Sequence, residues 1–227
     1  MTENFTRPAS LVFLFDVDNT LLDNDRFAAD LRGHLDETFG AAQAQRYWDL
    51  YEALRQELGY ADYLGAVQRF RQGLEDQPAL LELAHFLIAY PFPERLFPHA
   101  LDVLAHLQRI APTVILSDGD VVFQPHKIRA SGLWQAVQGR VLIYVHKELV
   151  LEAMQQHFPA RHYVMVDDKP QILAAMKQAL GARLTTVFVR QGHYARVGGA
   201  EAPPPDITVQ HIGDMLTLSP QTWQVSP

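Results

Sequence analysis

The chain has 227 residues, 48% of them hydrophobic and 20% charged, a globular composition that excludes wholesale disorder. Its net charge of −7 leaves no basic surplus for a nucleic acid backbone, although a small anionic substrate needs only a few local cations or a metal. There is no cysteine, which excludes disulfides, thiolate catalysis and Cys-based metal sites.

The N-terminus MTENFTRPAS carries no basic and apolar leader pattern, and no apolar run approaches the ~18 residues of a membrane span, so the expected protein is cytoplasmic and binds no membrane. The first element is the short apolar run from Leu11, which suits a buried strand and leads directly into Asp16-Val17-Asp18-Asn19-Thr20. Alternation along an extended chain puts Asp16 and Asp18 on one side. Two carboxylates at the end of a buried strand are costly, so the pair asks for a metal, or for a nucleophile and an acid/base partner.

From Asp23 to Pro93 the spacing predicts helices. Tyr47, Leu50, Tyr51, Leu54 and Leu58 make one stripe, Leu64, Val67 and Leu74 a second, and Leu80, Leu83, Ala84 and Leu87 a third. Gly40, Gly59 and Gly73 stand near the breaks, and Tyr90-Pro91-Phe92-Pro93 ends the segment. From Pro98 onward, helical stripes alternate with the strand-like runs 113–116, 141–145, 163–166 and 184–189, which predicts a parallel α/β sheet. Residues 207–209 suit a last short strand, and the final dozen residues a helix and a tail. The expected fold is an α/β, doubly wound, Rossmann-like core (residues 1–21 and 95–227) interrupted by an all-helical cap (residues 22–94).

Ligands of such sheets bind beyond the carboxyl ends of the strands. The first strand ends at Asp16 and Asp18, the second at Ser117-Asp118-Gly119, the third leads to His146-Lys147, and the fourth ends at Asp167-Asp168. These four clusters in this order, with a cap-sized helical insertion between the first two, resemble the haloacid dehalogenase superfamily with a type-1 cap. Asp16, Asp18 and Thr20 match its DxDxT motif, Ser117 its second motif, Lys147 its third, and Asp167 with Asp168 its fourth.

The resemblance implies a Mg²⁺-dependent phosphatase acting on a small phosphorylated metabolite. In that reading Asp16 is the nucleophile, forming an aspartyl-phosphate. Asp18 protonates the leaving alcohol and then activates water. Thr20, Ser117, Asp118, Gly119 and Lys147 belong to the phosphate site, with Lys147 stabilising the developing charge. The metal set is Asp16, the Asp18 carbonyl, and Asp167 or Asp168. The acid often found four residues after the fourth motif is here Gln171.

Other readings accompany these. Asp23, Asn24 and Arg26 are candidates for substrate contact, Asp23 and Asn24 suit a hinge or helix cap better, and Asp167 or Asp168 suits a cap of the following helix. Lys127 lies too far from the fourth motif for the family spacing and reads as a surface or rim residue. The cap aromatics Tyr47, Trp48, Tyr51, Tyr60 and Tyr63 read as packing core. The ten histidines show no metal-binding spacing. The alternatives to a phosphatase are a metal-free 2-haloacid dehalogenase, which has no leaving alcohol to protonate, a phosphosugar mutase, or a catalytically silent binding protein.

Overall fold

The computed structural model describes residues 8–74, 77–197 and 203–223. Strand β1 (Ala9–Phe15) is the apolar run identified above, and its alternation divides the core. Phe13 and Phe15 enter the apolar layer on one face of the sheet, Val12 and Leu14 the layer on the other. A strand segment buried on both faces must be apolar throughout, as Leu11 to Phe15 is.

The chain then leaves the sheet for α1 (Asn24–Phe39), α2 (Ala41–Leu58), α3 (Tyr63–Phe70) and α4 (Ala79–Ala89). Gly40 and Gly59 close the first two helices, Gly59 in the left-handed conformation at φ 81°. The predicted stripes face inward: Tyr47, Tyr51, Leu54, Leu83 and Leu87 are all buried. The outgoing and returning chains are tied together where they pass. Asp23 N donates to Arg95 O at 2.7 Å and Phe97 N to Leu21 O at 3.0 Å.

The remaining chain alternates as expected: α5 (Ala100–Gln108), β2 (Thr113–Asp118), α6 (Phe123–Ala130), α7 (Leu133–Ala136), β3 (Val141–Tyr144), α8 (Leu151–His157), β4 (Ala160–Asp167), α9 (Pro170–Leu180), β5 (Leu184–Val189), α10 (Tyr194–Val197) and β6 (Ile207–Val209). The end of the described chain forms two 3-10 turns, Ile212–Thr217 and Pro220–Trp223, where an α-helix was expected. Its apolar residues still pack inward, Trp223 edge-on to Phe13.

All six strands are parallel, in the order β3-β2-β1-β4-β5-β6. The order reverses at β1, which is the switch point where doubly wound sheets open a crevice. Every strand therefore delivers its carboxyl end to one rim. Among the described residues no helix is long and apolar enough to cross a membrane.

Candidate active site

Asp16 directly follows β1, its amide donating to Val166 O of β4 at 3.0 Å. It is 2% exposed. Beyond it the backbone turns at once: Leu21 and Leu22 N donate back to Val17 O. Asn19 makes the turn in the left-handed region at φ 60°. Its Oδ1 accepts from both Asn24 N and Asp25 N at 3.1 Å, joining the turn to the start of α1. Thr20 Oγ1 faces Asp16 Oδ2 at 3.4 Å.

Lys147 sits on a 3-10 turn after β3 and is fully buried. A lysine at that place in sequence is ordinarily solvated, but here its Nζ lies 2.5 Å from Asp16 Oδ1 and 2.7 Å from Asp167 Oδ2. The second contact has ion-pair distance without hydrogen-bond geometry, so Asp167 Oδ2 keeps an unused lone pair. Burial works against the ammonium charge, but Asp16, Asp167 and Asp118 outweigh it and hold the Lys147 pKa above the ordinary lysine value. Asp118 Oδ1 accepts the Lys147 amide at 2.8 Å and fixes that turn.

Ser117 is buried at the end of β2. Its Oγ accepts from Gln124 Nε2 at 3.0 Å. Gly119 follows at φ 156°, and a Cβ there would stand 2.8 Å from the Cβ of Gln124. The close approach of these two backbones requires glycine.

Asp167 ends β4 and Asp168 follows it, both fully buried. Neither caps α9. The cap position is Lys169, whose amide donates to Asp167 Oδ1 at 2.8 Å. Both Asp168 oxygens are buried without a hydrogen-bond partner. Burial, then the neighbouring Asp167 and Asp16 charges, push the Asp168 pKa up, and burial raises Asp167 as well. One oxygen from each of Asp16, Asp167 and Asp168 falls within 4.8 Å of the others. Buried carboxylate oxygens gathered this closely, both of those on Asp168 without a hydrogen-bond partner, fit a hard divalent cation such as Mg²⁺. Asp18 contributes no side-chain oxygen to this group.

The Asp18 carboxyl points instead toward α6. Lys127 Nζ lies 2.5 Å from its Oδ1 and 3.2 Å from Asn24 Oδ1. Lys127 is 1% exposed, so of its two readings, surface or rim, the first is corrected. Family spacing excluded it from the third motif, but the helix after β2 turns it inward, where two oxygen acceptors replace water. Gln124 was not singled out in the sequence. Its position three residues before Lys127 on one helix was the available signal.

The cleft over this rim has a volume of about 300 Å³. Asp18, Asp118, Lys169, His193 and Tyr194 line it. Burial opposes the Lys169 charge, yet Asp16, Asp167 and Asp168 leave its pKa raised. Trp48, Tyr51, Tyr60 and Tyr63 also line the cleft, so the reading of these aromatics as packing alone is too narrow. Tyr47 does belong to the core, its hydroxyl donating to Tyr63 O. Asp23 caps α1 through Arg26 N, as the helix-cap reading expected, and Arg26 turns outward to Asp30.

A six-stranded parallel sheet with acidic and lysine side chains gathered on its carboxyl rim defines an α/β hydrolase of the haloacid dehalogenase type. The model of the haloacid dehalogenase-like hydrolase family matches residues 11–179, and the chain belongs to that family. A protein from Burkholderia xenovorans LB400, provisionally described as a haloacid dehalogenase-like hydrolase, is 58% identical with a TM-score of 0.89, over 96% of this chain and 100% of that one. YfnB from Bacillus subtilis, provisionally described as a HAD hydrolase and solved with bound magnesium, shares the fold at 16% identity and a TM-score of 0.60, over 92% and 98% of the two chains. The L-2-haloacid dehalogenase of Xanthobacter autotrophicus, solved with chloropropionic acid covalently bound, shares it at 18% identity and 0.58, over 91% and 96%. Among curated proteins none matches.

Proposed function

We propose that this hydrolase is a Mg²⁺-dependent phosphatase of a small phosphorylated metabolite, working through an aspartyl-phosphate, with residues 22–94 as a cap over the site. The observation that carries this reading is the group of buried carboxylates Asp16, Asp167 and Asp168, with both Asp168 oxygens lacking a hydrogen-bond partner and one Asp167 oxygen meeting only Lys147. Carbon–halogen cleavage by a carboxylate needs no cation at that place, whereas phosphoryl transfer brings further negative charge to it. The magnesium-bound relative of the same fold agrees with this preference.

Asp16, Asp167, Asp168 and the Asp18 carbonyl would hold the ion, which would supply charge neutralisation at the phosphoryl oxygens. Asp16 attacks phosphorus, and Lys147 beside it compensates the negative charge that the substrate brings into a dry site. Ser117 and Thr20 offer hydroxyls to the phosphoryl oxygens. Asp18 gives a proton to the departing oxygen and takes one from the water that later cleaves the aspartyl-phosphate. The helices above exclude bulk water during the first half.

The test is a metal-supplemented screen of phosphorylated sugars, nucleotides, organic acids and cofactors. Phosphate release that EDTA abolishes and Mg²⁺ restores is expected. Dehalogenase neighbours of the same fold give the competing reading its weight. Chloride release from 2-chloropropionate that survives EDTA, with no phosphate ester turned over, would decide for it.

A further inference from the structure

Asp18 is held by two residues of α6 that no family motif includes. Lys127 Nζ contacts its Oδ1 at 2.5 Å, and Gln124 Nε2 reaches its Oδ2 at 3.3 Å while donating to Ser117 Oγ at 3.0 Å. Both holders are buried, Lys127 at 1% and Gln124 at 4% exposure, and Asp18 itself is half-buried. A buried ammonium is costly unless its acceptors are fixed, so Lys127 is a rigid support for the carboxyl it meets. Its other acceptor is Asn24 Oδ1, at the first residue of α1. The proton-handling group is thereby tied to the element that leads into the helical insertion.

We propose that Lys127 and Gln124 are positioning residues that clamp the Asp18 carboxyl for proton transfer to the leaving oxygen. The proposal rests on the phosphatase reading above. In the first half-reaction the bond between an Asp16 oxygen and phosphorus forms, the bond from phosphorus to the leaving oxygen breaks, and the proton on Asp18 goes to that oxygen. In the second, water attacks phosphorus, its proton goes to Asp18, and the bond between Asp16 and phosphorus breaks to release phosphate. Both transfers need one carboxyl oxygen at one place, and the Lys127 ammonium is unchanged throughout. Gln124, spanning Asp18 and Ser117, sets the distance between proton and phosphoryl group. A misplacement of about 1 Å costs such a transfer on the order of 100-fold.

The test compares kcat/KM of the full-length Mg²⁺-loaded protein on 4-nitrophenyl phosphate, whose leaving group departs without a proton, and on phenyl phosphate, whose leaving group needs one. For Lys127→Met the expected loss is about 100-fold on phenyl phosphate and under about tenfold on 4-nitrophenyl phosphate. Gln124→Ala, which leaves the ion pair in place, should shift the same ratio in the same direction by a smaller factor, and it carries the test if Lys127→Met does not fold. Equal losses on both esters, or none, would overturn the proposal while leaving the phosphatase reading intact. A wild-type protein that turns over neither these esters nor any phosphate ester of the screen above would end both.

Discussion

Asp16 and Lys147 stand 131 residues apart in the chain and 2.5 Å apart in the fold. Neither has water to fall back on, since Asp16 is 2% exposed and Lys147 not at all. Lys147→Ala therefore leaves Asp16 and Asp167 as buried charges without their cation. The expected destabilisation is roughly 3–5 kcal/mol, read from a denaturant titration, with loss of phosphate release. Asp16→Asn keeps the shape but removes the attacking group, and turnover should fall by at least roughly 1,000-fold. Full activity of Asp16→Asn in protein free of host phosphatase would end the nucleophile assignment.

Asp168 holds two buried oxygens without partners, a cost that a bound cation would relieve. Saturating Mg²⁺ should raise the melting temperature by roughly 5–10 °C, the range expected when ligand exceeds its dissociation constant about 100-fold in a domain of this size. Asp168→Asn should melt higher than wild type in EDTA, because a carboxyl that is ionised in the unfolded chain and pushed toward its neutral form by burial is gone, and should gain little from Mg²⁺. A variant that responds to Mg²⁺ like wild type would remove Asp168 from the metal set.

Gly119 lies where a side chain would strike the Cβ of Gln124 at 2.8 Å, an atom close to the α6 backbone that cannot swing away. Gly119→Ala should cost about 1–3 kcal/mol. It should also displace Gln124 from Ser117 and Asp18, so turnover per folded molecule falls as well. Unchanged kinetics in a destabilised variant would show that α6 moves without disturbing the site.

Asp206 gives the acid limb of stability a specific source. Its Oδ2 accepts from Thr186 N at 2.8 Å and Thr186 Oγ1 at 3.0 Å, and pairs with Lys177 at 2.8 Å. Partial burial raises its pKa, but the hydrogen bonds from Lys177 and Thr186 outweigh that and leave it below the ordinary carboxylate value. A depressed folded-state pKa contributes stability above the unfolded value, near 3.9, and loses it as pH falls through the folded value. Because the pair is well exposed, the effect should be at most about 1 kcal/mol. Acid unfolding of Asp206→Asn, compared with wild type by far-UV circular dichroism, should show a shallower pH dependence below about pH 4.

The parallel sheet and the helical insertion were legible because burial on both faces leaves an apolar signature in strands, and helices of the insertion must repeat their apolar residues every three to four positions. The polar clusters after β1, β2, β3 and β4 were legible for a related reason: each closes an apolar run, and parallel strands carry their ends to one rim. Composition, spacing and motif order thus determined the fold class and the candidate residues Asp16, Asp18, Ser117, Lys147, Asp167 and Asp168.

The partners of those residues were decided only by the folded chain. Lys127 and Lys147 look alike in sequence, each a lysine close to the start of a turn or helix, and spacing sent one to the site and the other to the surface or the rim. In the fold both are buried, and each pairs with a different aspartate of the same motif, Lys147 with Asp16 and Lys127 with Asp18. The terminal 3-10 turns and the cleft-lining face of Trp48, Tyr51, Tyr60 and Tyr63 were likewise invisible beforehand. Periodicity reports which face of an element is dry, a local property of the chain. Which charge meets which depends on how α6 and the β3 turn pack against a loop more than a hundred residues away, and no local pattern encodes that distance.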